Sequence, residues 1–195
     1  MEFWFDLAST YSYLAAARVE ELAAARGVTV SWRPFLLGPL FAARGWTTSP
    51  FNLDADKGRY MWRDVERIAE ELGLPFRRPS VFPRNSTLAA RVALVGASEG
   101  WIAPFCRAVF TAELADDEDI ADPRVIDDIL QRLGLDGPTV RALAESPEHK
   151  PRLREQTERA AALGLFGAPS FLARGELFWG NDRLEQALAW MARGG

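Results

Sequence analysis

The first 35 residues alternate between apolar segments and one segment whose apolar residues recur at helical spacing. Residues 2–7 are aromatic and apolar, which predicts a buried strand. Residues 11–26 place apolar side chains every three or four positions and end at Gly27, which predicts a helix. Residues 28–32 alternate and predict a second strand. A β-α-β unit of this kind normally pairs its strands in parallel through a right-handed crossover.

The middle of the chain has only helical periodicity. Gly38-Pro39 and residues 47–50 predict loops, and no strand is expected between Phe35 and Lys150. We expect helices over residues 59–72, 85–98, 101–115, 123–133 and 138–144.

Strand signals return after a further predicted helix at residues 152–163. Residues 170–173 and 176–179 are short apolar runs separated by Arg174-Gly175, which predicts a hairpin. A last helix is expected over residues 183–192.

The order β-α-β, helices, then α-β-β-α resembles the thioredoxin topology with a helical insertion, as in DsbA-like proteins. We therefore predict an α/β, thioredoxin-like fold with a large all-helical insertion. Residues 1–35 and 152–195 would form the thioredoxin-like domain and residues 36–151 the inserted one. The Gly-Gly tail at 194–195 is expected to be frayed.

Composition excludes several classes of function. The net charge of -4 argues against a grip on a phosphate backbone. Cys106 is the only cysteine, so an internal disulfide and dithiol redox chemistry are impossible, and we expect it to be a packing residue. The only histidine, His149, lies in a polar turn, so we expect no metal site. The first residues contain no basic leader or apolar signal core, which predicts a cytoplasmic protein.

Candidate chemistry begins where the first strand meets the first helix. This junction reads Ser9-Thr10-Tyr11-Ser12, with hydroxyls at the two positions where thioredoxin-like proteins carry the cysteines of C-x-x-C. A helix N-terminus favours an anion, so a ligand thiolate would be stabilised there and the Ser9 hydroxyl could add a hydrogen bond. Taken alone, Ser9 is equally explained as a helix cap.

Two further segments extend the pattern. Ala168-Pro169, after a glycine-rich turn, resembles the cis-proline loop of thioredoxin folds; a trans proline opening an edge strand is the alternative. In Asn181-Asp182-Arg183, the Asp182 carboxylate could hold a ligand ammonium while helix-start amides hold a ligand carboxylate. Those are the two ends of a γ-glutamyl group. The alternative is a helix cap followed by a surface arginine.

Together these segments resemble the 2-hydroxychromene-2-carboxylate isomerase family, which is related to kappa-class glutathione transferases. The resemblance covers nearly the whole chain. The matching stretches are Phe5-Asp6-Leu7-Ala8-Ser9-Thr10-Tyr11-Ser12-Tyr13-Leu14, Lys57-Gly58-Arg59-Tyr60-Met61, Pro83-Arg84-Asn85-Ser86, Phe166-Gly167-Ala168-Pro169 and Trp179-Gly180-Asn181-Asp182-Arg183.

The resemblance implies glutathione as cofactor, a small aromatic carboxylate as substrate, and a homodimer. It implies that Ser9 is the catalytic residue and contacts the glutathione sulfur. The implied glutathione-binding residues are Ser9, Ala168, Pro169, Trp179, Gly180, Asn181, Asp182 and Arg183, and the implied substrate-side residues are Phe41, Asn52, Lys57, Arg84 and Asn85.

The chain departs from the family pattern at two places. Thr10 replaces a common proline, and the family's loop asparagine has no certain equivalent, since Thr47, Thr48 and Asn52 compete. Lys57 and Arg84 suit an anionic carboxylate but are also explained as plain surface charges.

The function implied by the resemblance is glutathione-dependent interconversion of the chromene and trans-o-hydroxybenzylidenepyruvate in aromatic catabolism. A kappa-like glutathione transferase or peroxidase, and a non-catalytic DsbA-like binding module, are the alternatives, because a fold does not fix a function.

Overall fold

A computed structural model describes residues 1–193 and shows one four-stranded mixed sheet. The strand order is β2-β1-β3-β4, with β1 parallel to β2, and with the β1/β3 and β3/β4 pairs antiparallel. The predicted frayed tail at 194–195 lies outside the described residues. The strands are β1 (Glu2–Phe5), β2 (Ser31–Pro34), β3 (Ser170–Ala173) and β4 (Glu176–Trp179).

Helices account for most of the remaining described chain. A short 3-10 turn, Asn181–Arg183, leads into the last of them. The helices are α1 (Thr10–Ala16), α2 (Val19–Ala24), α3 (Leu37–Ala42), α4 (Pro50–Leu53), α5 (Ala55–Glu71), α6 (Thr87–Glu99), α7 (Ile102–Leu114), α8 (Pro123–Arg132), α9 (Gly137–Ala144), α10 (Lys150–Ala162) and α11 (Leu184–Ala192).

The predicted thioredoxin-like fold is confirmed, including the parallel β1/β2 pair and the β3–β4 hairpin. Within residues 1–193, no strand lies between Phe35 and Lys150. The continuous helix predicted over 11–26 is wrong, because the chain bends at Ala17-Arg18 and forms α1 and α2 instead.

The loops predicted at Gly38-Pro39 and 47–50 are also partly wrong, because α3 and α4 form there. Both prolines lie in a first helical turn, where a missing N–H costs no intrahelical hydrogen bond. The Ser49 hydroxyl caps α4 by accepting a hydrogen bond from the amide of Phe51 at 3.3 Å.

β1 is one of the two inner strands of the sheet, and both of its faces are buried. Phe3 stacks on Phe171 with ring centroids 5.5 Å apart, while Trp4 points to the opposite face and packs against Phe35. Cys106 lies fully buried in the main core, and burial raises the pKa of its thiol, as expected of a packing residue. Over residues 1–193, the helices are too short or too polar to cross a lipid bilayer.

Candidate functional site

A cavity of about 1830 Å³ opens between the end of β1 and the helical region. Small-ligand pockets usually measure about 300–1,000 Å³, so this one has room for two ligands side by side. Its aromatic lining is Tyr11, Phe41, Trp46, Phe51, Tyr60, Phe82, Phe166 and Trp179, whereas Trp62 is buried against Phe82.

Ser9 lies in the cavity wall at the N-cap of α1. Its Oγ accepts a hydrogen bond from the amide of Ser12 at 3.2 Å and donates one to the carbonyl of Ala168, also at 3.2 Å. Ser12 is fully buried, and its own hydroxyl has no hydrogen-bond partner within residues 1–193. Of these two serines, only Ser9 therefore presents its hydroxyl to the cavity.

The Ala168-Pro169 bond is cis, as the resemblance to the cis-proline loop predicted. Ala168 lies in the cavity wall, and its amide makes no hydrogen bond within the part of the chain that the structure describes. Pro169 lies behind the wall, where its carbonyl accepts a hydrogen bond from the Gly180 amide at 3.0 Å. The loop before β3 is thus tied to Ser9 on one side and to the end of β4 on the other.

The segment from Trp179 to Arg183 forms a third side of the cavity. Trp179 is 53% exposed and contacts Phe166 edge to face, with ring centroids 4.8 Å apart. Gly180 has a φ of 114°, and a Cβ there would lie 2.4 Å from Oδ1 of Asp182. A glycine therefore lets the Asp182 carboxylate fold back over the turn, where its ion-pair partner is Arg183 at 3.6 Å.

A second carboxylate lies near Asp182. The Tyr11 hydroxyl donates a hydrogen bond to Oδ2 of Asp64 at 2.8 Å, and both residues line the cavity. Burial, and then this bond to Asp64, raise the pKa of Tyr11, with a smaller contribution from the charge of Asp182. This end of the cavity is acidic and suits a ligand ammonium, a feature that the sequence analysis missed.

Asp6 is another cavity residue that the sequence analysis assigned no role. Its buried carboxylate accepts hydrogen bonds from the amides of Ala8 at 3.0 Å and Leu37 at 2.8 Å, and from the Ser86 hydroxyl at 2.7 Å. Burial nevertheless raises its pKa, although these bonds oppose the rise. Asp6 thereby joins the Ser9 turn to the starts of α3 and α6. The sequence did contain a signal for Asp6, namely a carboxylate at the end of a predicted buried strand.

The substrate-side residues implied by the resemblance are only partly brought together. Phe41, Lys57, Arg84 and Asn85 line the cavity. Asn52 lies outside the wall, and its amide nitrogen donates to the Thr48 hydroxyl at 3.2 Å and to the Phe82 carbonyl at 3.0 Å. Of the three competitors for the family's loop asparagine, Thr47 and Thr48 are the two that line the cavity.

Arg84 reaches the wall, but its charge is matched inside the protein. Its side chain is 5% exposed and donates to Oδ1 of Asp117 at 2.6 Å and to the Ser80 hydroxyl at 3.3 Å. The Ser80 amide and then Arg84 lower the pKa of Asp117 to about 2. Arg84 also lies 3.9 Å from Glu113, whose pKa burial raises to about 8.

Arg44 is a cationic wall residue that the sequence analysis missed. Its Nη1 donates to the Phe166 carbonyl at 3.2 Å, and within residues 1–193 no carboxylate lies within salt-bridge distance of it. Lys57, in contrast, is 3.7 Å from Asp54 and 70% exposed. Arg44 therefore has donors available for a ligand anion, and no motif in the sequence marked it.

In the described part of the chain, no group of three or more His, Cys, Asp or Glu side chains is arranged to hold a metal ion. His149 lies outside the cavity wall, with its Nδ1 3.1 Å from the Ser146 hydroxyl.

Comparison with known proteins agrees with this architecture. The family described as "DSBA-like thioredoxin domain" matches residues 1–191. A 2-hydroxychromene-2-carboxylate isomerase of Pseudomonas putida is 30% identical over 99% of this chain and 94% of its own. A solved structure of a 2-hydroxychromene-2-carboxylate isomerase superposes with a TM-score of 0.88 at 27% identity, covering 98% of this chain and 94% of the other. Human glutathione S-transferase kappa 1 is 25% identical over 95% of this chain and 87% of its own.

The chain belongs to the DsbA-like thioredoxin family and, within it, to the family of 2-hydroxychromene-2-carboxylate isomerases.

Proposed function

We propose that the chain is a glutathione-dependent isomerase that interconverts 2-hydroxychromene-2-carboxylate and trans-o-hydroxybenzylidenepyruvate in aromatic catabolism. The observation that supports it most is the joining of Ser9 to Ala168 by a 3.2 Å hydrogen bond in the wall of a cavity that Asp182 also lines. A cofactor with a free thiol requires a reducing compartment, so the proposal includes the cytoplasm.

The groups around the cavity fit glutathione. The tripeptide offers a thiol, peptide groups, a γ-glutamyl ammonium and two carboxylates. Ser9 offers a hydroxyl to the sulfur, and the Ala168 amide is available to a ligand carbonyl, as in the addition of a strand. Asp64 and Asp182 offer carboxylates to the ammonium. The name of the human kappa-class relative adds support for glutathione in this family.

When bound, glutathione would supply a thiolate able to add reversibly to the conjugated double bond. Opening of the ring C–O bond of the chromene would free the phenol, the carbon–carbon bond made single by the addition could then rotate, and loss of the thiolate would restore the double bond in the trans form. Ser9 has one hydroxyl proton, which is donated to the Ala168 carbonyl in this structure. Rotation about the Cβ–Oγ bond redirects that proton to a sulfur in the cavity. Such a charge-assisted hydrogen bond lowers the pKa of the thiol. The sequence suggested that the helix N-terminus and the Ser9 hydroxyl share the stabilisation of the thiolate. Because α1 is only seven residues long, we assign a larger part of it to Ser9.

The other half of the cavity suits an aromatic carboxylate. Phe41 and Trp46 have ring centroids 5.5 Å apart and offer apolar faces to an aromatic ring. Arg44 lies beside them with donors available for the substrate carboxylate, and Lys57 adds a second positive charge. A guanidinium binds a carboxylate with two parallel hydrogen bonds, so we assign the main role in anion binding to Arg44.

Product analysis tests the proposal. The purified chain is given 2-hydroxychromene-2-carboxylate and glutathione at about one-hundredth of the substrate concentration, and product and free thiol are measured over time. Isomerisation of most of the substrate with full recovery of the thiol is expected. Consumption of one thiol per product formed would identify a transferase instead. Absence of glutathione binding by isothermal titration calorimetry would identify a non-catalytic module.

A further inference from the structure

Arg18 lies outside the cavity wall, directly behind the turn that leads to Asp182. Its Nη2 donates to the backbone carbonyl of Asn181 at 2.9 Å and to Oδ1 of the same residue at 3.1 Å. Its Nη1 lies 3.3 Å from Oε1 of Glu185, in the first turn of α11. The side chain is 21% exposed, so one half-buried guanidinium holds both acceptor groups of Asn181 and the start of the last helix.

We propose that Arg18 is a positioning residue that fixes the γ-glutamyl half of the glutathione site, which rests on the proposed function. The peptide group between Asn181 and Asp182 is planar. Because Arg18 holds the Asn181 carbonyl, it also sets the direction of the Asp182 amide, which lies in the same plane. Asn181 itself is only 6% exposed and anchors the turn from within.

The bend between α1 and α2 is what brings Arg18 to this place. Arg18 stands at the bend with φ -125° and ψ -9°, outside both helices. The segment from Ser9 to Arg18 therefore begins at the proposed sulfur contact and ends at the support of the Asp182 turn. One short stretch of chain sets the distance between the two ends of the ligand, and the bend missed in the sequence is part of the site.

If Arg18 had a purely structural role, it would act by its ion pair with Glu185, which holds the start of α11. Arg26 offers a matched control, because its Nη2 lies 4.0 Å from Oε2 of the same Glu185 and it makes no hydrogen bond with Asn181 within the described residues. Replacing either arginine by methionine removes one positive charge near Glu185 and keeps an apolar stem of similar length. The two variants differ in the contact with Asn181.

The test compares glutathione with cysteinylglycine, which lacks the γ-glutamyl group, by isothermal titration calorimetry. For Arg18→Met we expect the Kd of glutathione to rise about tenfold, the equivalent of ~1.4 kcal/mol, and the Kd of cysteinylglycine to stay within about twofold. Arg26→Met should leave both values unchanged. Equal losses for both ligands, or no loss for either, would overturn the proposal.

Amide hydrogen exchange without ligand gives a second readout. Arg18→Met should speed exchange at residues 181–184 relative to the wild type, while α6 and α7 exchange as before. Unchanged exchange at this turn would also overturn the proposal. If the methionine variant does not fold, Arg18→Lys keeps the charge and serves instead. We expect a smaller rise in the Kd of glutathione for this variant, and again no rise in the Kd of cysteinylglycine. The two proposals can fail separately. If the wild type binds no glutathione but exchange at residues 181–184 is faster in Arg18→Met, the proposed function is refuted, whereas the role of Arg18 in supporting the turn stands.

Discussion

The Ser9 hydroxyl and the Ala168 carbonyl are joined by a 3.2 Å hydrogen bond, although 159 positions separate them in the chain. This bond connects the end of the first strand with the loop before the third. The same hydroxyl accepts a hydrogen bond from the Ser12 amide, so two hydrogen bonds fix the position of the Ser9 oxygen. Its side chain is therefore held in one orientation against the cavity before any ligand arrives.

Ser9→Ala removes the hydroxyl proposed to face the glutathione sulfur. A hydrogen bond to a charged group contributes about 1.5–3 kcal/mol, so we expect kcat to fall roughly 10- to 100-fold. Ser12→Ala is the control, because it removes a buried hydroxyl that has no partner within residues 1–193. Steady-state kinetics with both variants checks this. Full activity of Ser9→Ala would rule out the assigned role.

Gly167→Ala should weaken glutathione binding through Trp179. A Cβ on Gly167 would lie 2.3 Å from Nε1 of Trp179, so the indole must leave its place at the end of β4. We expect the KM for glutathione to rise several-fold, with a smaller change in kcat. In the background of Trp179→Ala the same substitution should have little further effect, because the clash is gone. Additive losses in the double variant would contradict this explanation.

Arg44→Met should raise the KM for the carboxylate substrate about tenfold and leave the Kd of glutathione unchanged. The reason is the loss of the cavity guanidinium whose only described partner is the Phe166 carbonyl. Arg63→Met serves as the control, since Arg63 lies outside the cavity and is paired with Glu66 at 3.0 Å. A rise in the glutathione Kd instead would move Arg44 to the cofactor side of the site.

Glu113 should make the stability of the protein depend on pH. Its pKa in the folded state is about 8, well above the ordinary value for a glutamate, because it is buried. Between about pH 5 and 8 the folded chain keeps a proton that the unfolded chain releases. The free energy of unfolding should therefore fall as the pH rises, by up to about 1.4 kcal/mol per pH unit from this group.

Glu113→Gln should flatten that pH dependence, since the amide does not titrate. Urea unfolding at several pH values measures the slope. Exposed Glu148→Gln is the control and should keep the wild-type slope. An identical slope in the Glu113 variant would show that another group causes the dependence.

The fold was largely predictable because its signals are local. An apolar run just before Ser9, and two short apolar runs around Arg174-Gly175, place three of the strands from the sequence. The cis bond at Ala168-Pro169 was expected from the resemblance to thioredoxin folds, with a trans bond as the alternative. The bend at Arg18 was not predictable, because neither glycine nor proline marks it and its partner Asn181 is far away in the chain. Tertiary contacts override helical propensity there.

The cavity residues were harder to assign than the strands. Arg84 and Arg44 both lie in sequence that is typical of loops, and no neighbouring residue indicates which of the two is paired with a carboxylate. Asp117, which matches the charge of Arg84, lies in the loop after α7. Whether Arg44 is available for a ligand depends on contacts between distant parts of the chain, which the spacing of residues along the sequence does not reveal.

The pairing of β1 with β3 has a consequence for how the protein is made. Glu2 pairs with Leu172, and Ser9 contacts Ala168, so the first strand has no antiparallel neighbour until residues 168–172 have left the ribosome. The nascent protein can begin the β1–α1–β2 unit early, but the cavity wall is complete only after synthesis of the β3–β4 hairpin. No copy can therefore take up its ligand until the ribosome has synthesised and released the segment that carries Ala168 and Asp182.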